Sequence, residues 1–408
     1  NSFFIYTSKS VDSLSSCCFD KYTKVLWKSS TNGVQLTTLE ELHNMKWLTN
    51  KKNLRIHHNG SWVKGRSIKL PNRKMFEVVT TNNKRMIMTD NHINVTYHGE
   101  KPTCELTTDD YLAFNTNPLM PIPENDEHLT YAQGFAVGAF LGDGSFGSSI
   151  KGTIYEVNYS QNVNKFEDCI KYVNEANKDL GNSTECYLTS VYNNVYPIRI
   201  SSKELVAFIQ RWTNWKRGTT AVNKTLNLDC LQQSIEFRKG ILDGWYNTDG
   251  GDNNRCYTTS VSLVEAMEVL INSLGMQSII DVSDRTDEQV VIRNQSYNRN
   301  YPLYCVRWYE PCNKRSMGDI YKWKNNTQYF RVKSISVVEF YKDDVYCIEC
   351  NNADEPYFTL PNGLITHNCR LRNSIADQIN DFSYSLGAGG VMTGSINVIT
   401  LNMNRFVQ

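Results

Sequence analysis

Near one end of the 408-residue chain stands Thr366-His367-Asn368-Cys369, and 351 positions before that last cysteine another, Cys18, opens the run CFDKYTKVLW. These residue types can break and remake peptide bonds. A cysteine thiolate is a competent nucleophile, so Cys18 could attack the Cys17 carbonyl and turn the Cys17–Cys18 amide into a thioester. Cys369 would then take over the acyl group by transthioesterification. Asn368 would cyclise, its side-chain nitrogen attacking its own carbonyl. His367 would assist as proton donor, because the histidine pKa lies near neutrality. A sulfur-to-nitrogen shift would leave Cys17 joined to Cys369 in the stretch SSCCRLRN.

A second constellation lies between those ends. GFAVGAFLGDGS contains Gly134, Gly138, Asp143 and Gly144, and GILDGWYNTDGG contains Gly240, Gly244, Asp249 and Gly250, each 106 positions after its counterpart. An offset repeated four times marks an internal duplication. G-x-x-x-G in an apolar helix leaves a face on which two helices can approach closely. The Asp-Gly that follows predicts a helix end, with the glycine in the left-handed geometry of a C-cap. Two such helices side by side would bring Asp143 and Asp249 together. Adjacent carboxylates repel unless a cation neutralises them, so the pair predicts a divalent-metal site, with Mg²⁺ favoured by all-oxygen ligands.

Both patterns resemble known families. Cys18 is followed by Thr23 and the strand-like run Lys24 to Trp27, and MTDNHINV supplies Thr89 and His92, a T-x-x-H beginning 71 positions after Cys18. VYCIEC and EPYFTLPNGLITHNC close the pattern. Together these blocks resemble inteins. The resemblance implies an all-β Hedgehog/intein (HINT) horseshoe in which Thr89 and His92 contact the Cys17–Cys18 bond, His92 as the acid that helps break it and Thr89 as its orienting partner. Two positions depart from the commonest pattern: Cys347 stands where many inteins carry aspartate, and Pro356 where many carry histidine. Cysteine is a known alternative at the first, so Cys347 is expected to alter how the steps are coordinated. A T-x-x-H alone means little; its place between an opening cysteine and a closing His-Asn-Cys carries the resemblance. The Cys347 and Cys350 pair has no second spaced pair after it, and V-Y-C-I-E-C reads as a strand and not as half a zinc site.

AVGAFLGDG and LDGWYNTDG resemble the LAGLIDADG homing endonucleases in their single-chain, two-repeat form. That implies an α+β domain of two αββαββα-like halves straddling double-stranded DNA. It also implies Asp143 and Asp249 as catalytic metal ligands and hydrolysis by an activated water on each strand. Lys224, in NKTLN, stands where that family often has a lysine at the catalytic centre. ISSKELVAFIQRW and TTSVSLVEAMEVLINSLGM read as amphipathic helices. Arg293, Arg299, Arg307, Lys314, Arg315, Lys322 and Lys324 interleave with tyrosines and tryptophans. They could form a patch for phosphates and sugars, or only a solvated face. Two outcomes are open for this unit: a working nuclease, or a degenerate one that leaves a splicing-only chain.

These residues act only if the elements around them bring distant positions together. Segments 18–118 and 328–368 must pair to form the splicing domain, with 119–327 inserted as the nuclease after the Pro-rich NPLMPIPEN. Residues 1–17 and 369–408 then belong to one interrupted host. Joined, CCRLRN with SLGAGGVMTGSINVITLNMNR resembles the active-site region of class III anaerobic ribonucleoside-triphosphate reductases. In that family one cysteine of the pair carries a thiyl radical, and whether Cys17 or Cys369 corresponds to it is open.

Hydrophobic residues make up 40% and charged residues 21%, ordinary for a soluble, here monomeric, protein. No run of about 18 apolar residues predicts a membrane span, and the opening NSFFIYTSKS is unlike a signal peptide. Twelve irregularly spaced cysteines point to free thiols in a reducing, cytoplasmic compartment. The net charge is +1, and residues 124–324 hold 21 Lys and Arg against 24 Asp and Glu. A DNA partner, expected to be the uninterrupted reductase gene site, would therefore be met by a local patch and not by bulk charge.

Overall fold

The computed structural model describes residues 17–45, 54–121, 128–148, 154–190, 194–216, 219–286, 288–292, 295–311, 319–350 and 357–368. Arg293, Lys314, Arg315, Pro356 and Cys369 lie outside them.

The first part of the molecule is almost entirely β. Five antiparallel strands run in the order Val34–Thr38, Lys24–Lys28, Arg55–His58, Ser61–Leu70 and Val345–Cys350. Their β-branched and aromatic residues suit a pleated surface covered on at least one side. A nine-stranded sheet follows the path Tyr357–Thr359, Ile365–His367, Ile93–Thr96, Tyr111–Phe114, Thr327–Val338, Met75–Thr80 and Arg85–Thr89. Tyr321–Lys324 pairs beside Thr327–Val338, and Gly99–Pro102 beside Ile93–Thr96. The strand Thr327–Val338 bends at a register shift between Val332 and Ser334, pairing with Tyr111–Phe114 before it and with Met75–Thr80 after it. A bulge of that kind curves a sheet. Phe19, Trp27, Phe114, Phe330 and Phe358 fill the core between these strands. Thr327–Val338, Val345–Cys350 and Ile365–His367 thus each pair with a strand before residue 115.

Six α-helices occur among the described residues: α1 Leu39–Asn44, α2 Tyr131–Asp143, α3 Phe166–Asp179, α4 Lys203–Thr213, α5 Ile235–Asp249 and α6 Val261–Ser273. Thr130 and Gln133 close a capping box at the start of α2, at 3.2 and 2.9 Å. Ser202, Ser234 and Ser260 cap α4, α5 and α6. Each cap satisfies amide groups that the helix itself leaves unpaired. Helices α2 and α5 cross on their glycines. A Cβ on Gly138 would meet the Ile241 carbonyl oxygen at 1.9 Å, and one on Gly244 the Phe135 oxygen at 2.2 Å. Only a residue without a side chain allows that approach.

Each of these two helices runs directly into a four-stranded sheet. One sheet has the order Gly144–Ser148, Ile154–Asn162, Val195–Ser201, Tyr187–Leu188, and the other Gly250–Gly251, Arg255–Thr258, Leu303–Tyr309, Gln277–Ser283. The helix ends correct one expectation. Gly144 and Gly250 are extended, with φ −87° and −77°, not left-handed, because the chain continues straight into a strand. Glycine is needed there for room: a Cβ would lie 2.4 Å from the Phe140 Cα or 1.9 Å from the Tyr246 oxygen. The first half has the order helix, two strands, helix, two strands, helix. The second half adds the hairpin Gln289–Ile292 with Gln295–Asn298 and has no closing helix among the described residues.

The two parts share a core. Leu26, Val34 and Leu119 pack with Trp212, Phe237 and Trp245. The Val34 amide donates to Asp229 Oδ1 at 2.6 Å. Lys84, buried, reaches Glu268 and donates to Ser278 Oγ at 2.9 Å. Buried Arg238 donates to the carbonyls of Ser273 and Leu119.

Candidate functional site

Cys18 is fully buried, and its neighbour Phe19 is held by isolated bridges to Tyr346 and Met88. Phe19 exchanges amide hydrogen bonds with Tyr346 at 2.8 and 3.0 Å, and the Thr89 amide donates to the Cys18 carbonyl at 3.0 Å. The Cys18 amide, which is the nitrogen of the Cys17–Cys18 bond, donates to Thr89 Oγ1 at 3.4 Å. Cys347, also buried, packs in a cluster with Cys18, Met75 and Val345.

The T-x-x-H spacing works because the chain turns between its two ends: the His92 amide donates to the Thr89 carbonyl at 3.1 Å, so both side chains face the Cys18 backbone. His92 Nε2 lies 2.7 Å from Thr366 Oγ1, and its ring stands edge-on to Phe19 with centroids 4.5 Å apart. Burial pushes the His92 pKa down to about 3, helped by the His367 charge and opposed by the Cys18 backbone. The ring is therefore uncharged near neutrality. Asn94 braces this turn, donating to the His92 carbonyl at 3.1 Å and to Thr103 Oγ1 at 3.0 Å.

Pairing of Thr366 with Asn94 carries residues 365–368 into the same place. His367 Nδ1 donates to the Asn368 carbonyl oxygen at 2.7 Å, which is the carbonyl that cyclisation would attack. The buried Asn368 donates through Nδ2 to the Cys350 carbonyl at 3.4 Å. Cys17, with 1% of its surface exposed, lies between the two ends. Its Sγ is 3.4 Å from the Ile93 amide and 3.7 Å from His367 Nδ1. Cys18, Thr89, His92, Cys347, His367 and Asn368 thus come together in one buried cluster. Cys17 as a wall of this site, Thr366 as the His92 partner, and Glu100 and Tyr357 beside His367 were not singled out from the sequence. Each reaches the site through strand register, which leaves no local pattern.

A second cluster lies at the paired ends of α2 and α5. Lys224 donates to the Gly142 carbonyl and is close enough to feel both aspartates. Burial lowers its pKa, while the charges of Asp249 and Asp143 raise it. Burial raises Asp143, against the Lys224 charge. Asp249 is raised to about 7, by burial first and the Asp143 charge second, with Lys224 and Trp245 opposing. Two carboxylates that crowd each other this far suit a hard divalent cation, which would relieve their repulsion. Among the described residues no group of three or more His, Cys, Asp or Glu gathers as a metal cage.

The basic segment divides. Arg307 pairs with Asp281 at 2.6 Å and Arg299 with Glu288 at 3.9 Å. Lys322 sits 4.2 Å over the Tyr111 ring and Lys324 5.4 Å over Tyr97, both on the nine-stranded sheet. The outward faces of the two four-stranded sheets carry polar residues outside that segment. Asn158, Arg199 and Tyr187 are in register on one sheet, and Arg255 pairs with Arg307 on the other, with Tyr257 two residues on. Alternation with buried Val157, Tyr159, Ile198 and Ile200 was the signal that could have found the first set.

No family model matches the chain, and no curated protein does. Among solved structures it is similar to mesophilic variants of the homing endonuclease I-DmoI, at 14% identity over 45% of this chain and 90% of that one, with a TM-score of 0.33. It is similar to I-DmoI in complex with DNA and Ca at 14% identity over 45% and 85%, TM-score 0.33. A DnaB intein from Synechocystis sp. PCC 6803 is similar at 15% identity over 24% of this chain and 67% of that one, TM-score 0.20.

Proposed function

We propose that the chain excises its own residues 18–368 and joins what flanks them. The observation that carries this reading is the convergence of Thr89 on the Cys17–Cys18 amide, at 3.4 Å, with His367 on the Asn368 carbonyl, at 2.7 Å. Cys18 Sγ adds to the Cys17 carbonyl carbon, the carbon–nitrogen bond breaks, and the freed nitrogen takes a proton. His92, whose ring faces the Cys18 backbone, is placed to protonate the leaving amine, while Thr89 holds that nitrogen. Cys369 displaces Cys18 from the thioester. Asn368 Nδ2 then attacks its own carbonyl carbon, His367 donates to the oxygen as charge builds, and Cys369 leaves as an amine. Cys347, against Cys18 in the core, couples the first step to the later ones. The reaction needs free thiols, so a reducing cytoplasm is its setting, and the flanks are those of an anaerobic ribonucleotide reductase. Incubation of the 408-residue chain followed by mass spectrometry is the test. A ligated product containing SSCCRLRN is expected, and unchanged precursor at all times rejects the reading.

The inserted domain is a site-specific nuclease for duplex DNA. Support comes from Asp143, Asp249 and Lys224 meeting at the ends of the glycine-packed helices. Asp143 and Asp249 would hold Mg²⁺, which supplies water activation and charge neutralisation at phosphate. Arg299 and Arg307, with Arg293, Lys314 and Arg315, are the proposed backbone contacts, joined by Arg199 and Arg255 on the sheet faces, while Lys322 and Lys324 rest on tyrosines of the nine-stranded sheet. A splicing-only chain is the competing reading. Purified protein with Mg²⁺ and DNA spanning the uninterrupted site separates the two: cleavage lost in Asp143→Asn supports the nuclease, and intact DNA supports the alternative.

A further inference from the structure

We propose that Glu100, held by Tyr357, is a positioning residue that keeps His367 in the doubly protonated form used for Asn368 cyclisation; this rests on the self-splicing reading. The strand Ile93–Thr96 pairs both with Gly99–Pro102, placing Glu100 opposite Val95, and with Ile365–His367. Tyr357 pairs directly with His367 across the neighbouring strand. Tyr357 Oη donates to Glu100 Oε1 at 2.7 Å, and the same oxygen lies 3.9 Å from His367 Nε2. On the opposite side of the ring, Nδ1 is 2.7 Å from the Asn368 carbonyl oxygen.

Nδ1 thus faces the Asn368 carbonyl oxygen, with Cys17 Sγ 3.7 Å away, and Nε2 faces the Glu100 carboxylate across 3.9 Å. A neutral imidazole with its proton on Nδ1 satisfies the carbonyl; a second proton, on Nε2, puts positive charge beside a carboxylate, which favours it. Groups facing His367 include Glu100, the Tyr357 ring, the Cys17 thiol at 3.7 Å and the neutral His92. Glu100 is the carboxylate among them. At 3.9 Å with 47% of its side chain exposed, it acts as a charge and not as a hydrogen-bond partner, so its effect is moderate. It also stands on a strand that carries none of the residues expected to react.

The test compares the 408-residue chain with Glu100→Gln, following thiol-induced cleavage at Cys17–Cys18 and cyclisation at Asn368 by mass spectrometry at pH 6 and pH 8. Loss of the carboxylate should slow cyclisation roughly threefold to tenfold at pH 8 and by less at pH 6, where more protons are available to the ring. Cleavage at Cys17–Cys18 should be unchanged, and Tyr357→Phe should show a smaller shift in the same direction. Equal cyclisation at both pH values, an equal drop at both, or a parallel loss of the Cys17–Cys18 step overturns the inference. A parent chain that yields neither product rejects self-splicing itself, whereas an active parent with an unaltered Glu100→Gln rejects only the role of Glu100.

Discussion

Thr89 and His92 reach the same bond by different means, and their substitutions should separate. Thr89 contributes one hydrogen bond to the Cys18 nitrogen, worth about 1 kcal/mol, so Thr89→Ala should slow thiol-induced cleavage at Cys17–Cys18 about fivefold. In the proposed mechanism His92 supplies the proton, and His92→Ala should cost roughly a hundredfold or more in the same assay. Equal losses would mean that both act only by orientation. At the other cluster, Asp249 provides a pH signature. Its folded pKa of about 7 lies above its unfolded value, so the folded state holds an extra proton between those values. That contribution is present at low pH and lost as pH rises through about 7. Asp249→Asn should therefore raise the melting temperature at pH 8, less so at pH 5, and change it little below about pH 4. Mg²⁺ should raise the melting temperature of the parent at pH 8 and not that of the variant. A variant melting like its parent at pH 8 would show that the aspartates do not strain each other.

At the level of elements, the crossing of α2 and α5 sets how far apart the two aspartates stand. Gly138→Ala would drive a methyl into the Ile241 carbonyl, and relieving it requires the helices to separate. A cost of about 1–3 kcal/mol is expected, together with loss of DNA cleavage while splicing continues; cleavage at the parent level would reject this account of the glycines. The repeat itself was legible because glycine and aspartate recur at a fixed offset, and the T-x-x-H was legible because a single turn brings its ends together. The left-handed cap was expected from Asp-Gly alone, and the chain's continuation into a strand overrode it. Lys322 and Lys324 looked like part of one basic run, yet their strand pairs with Thr327–Val338 and rests them on tyrosine faces. Pairing partners decided both outcomes, and these lie far away in the sequence.

For the molecule as a whole, the shared core makes the insertion more than a passenger. Removing 128–311 and bridging 121 to 319 with a short flexible linker would expose Leu26, Val34 and Leu119, each buried against Trp212, Phe237 or their neighbours. Exposing each costs roughly 1.5–3 kcal/mol. The shortened chain should aggregate or splice poorly, and Leu26→Thr with Val34→Thr should recover soluble, splicing protein, as measured by size-exclusion chromatography and product mass. Full activity in the shortened chain without those changes would mean that the two parts fold independently.

Cys17 lies outside the segment proposed to leave, yet it fills a slot with 1% of its surface exposed, under the Ile93 amide and against His367. An element of this build is not freely portable. Moved to another gene it would carry a steric demand on the residue before it, and a host offering phenylalanine or tryptophan there would jam the slot. Which residue can stand before Cys18 is thus set partly by the slot that Cys17 fills.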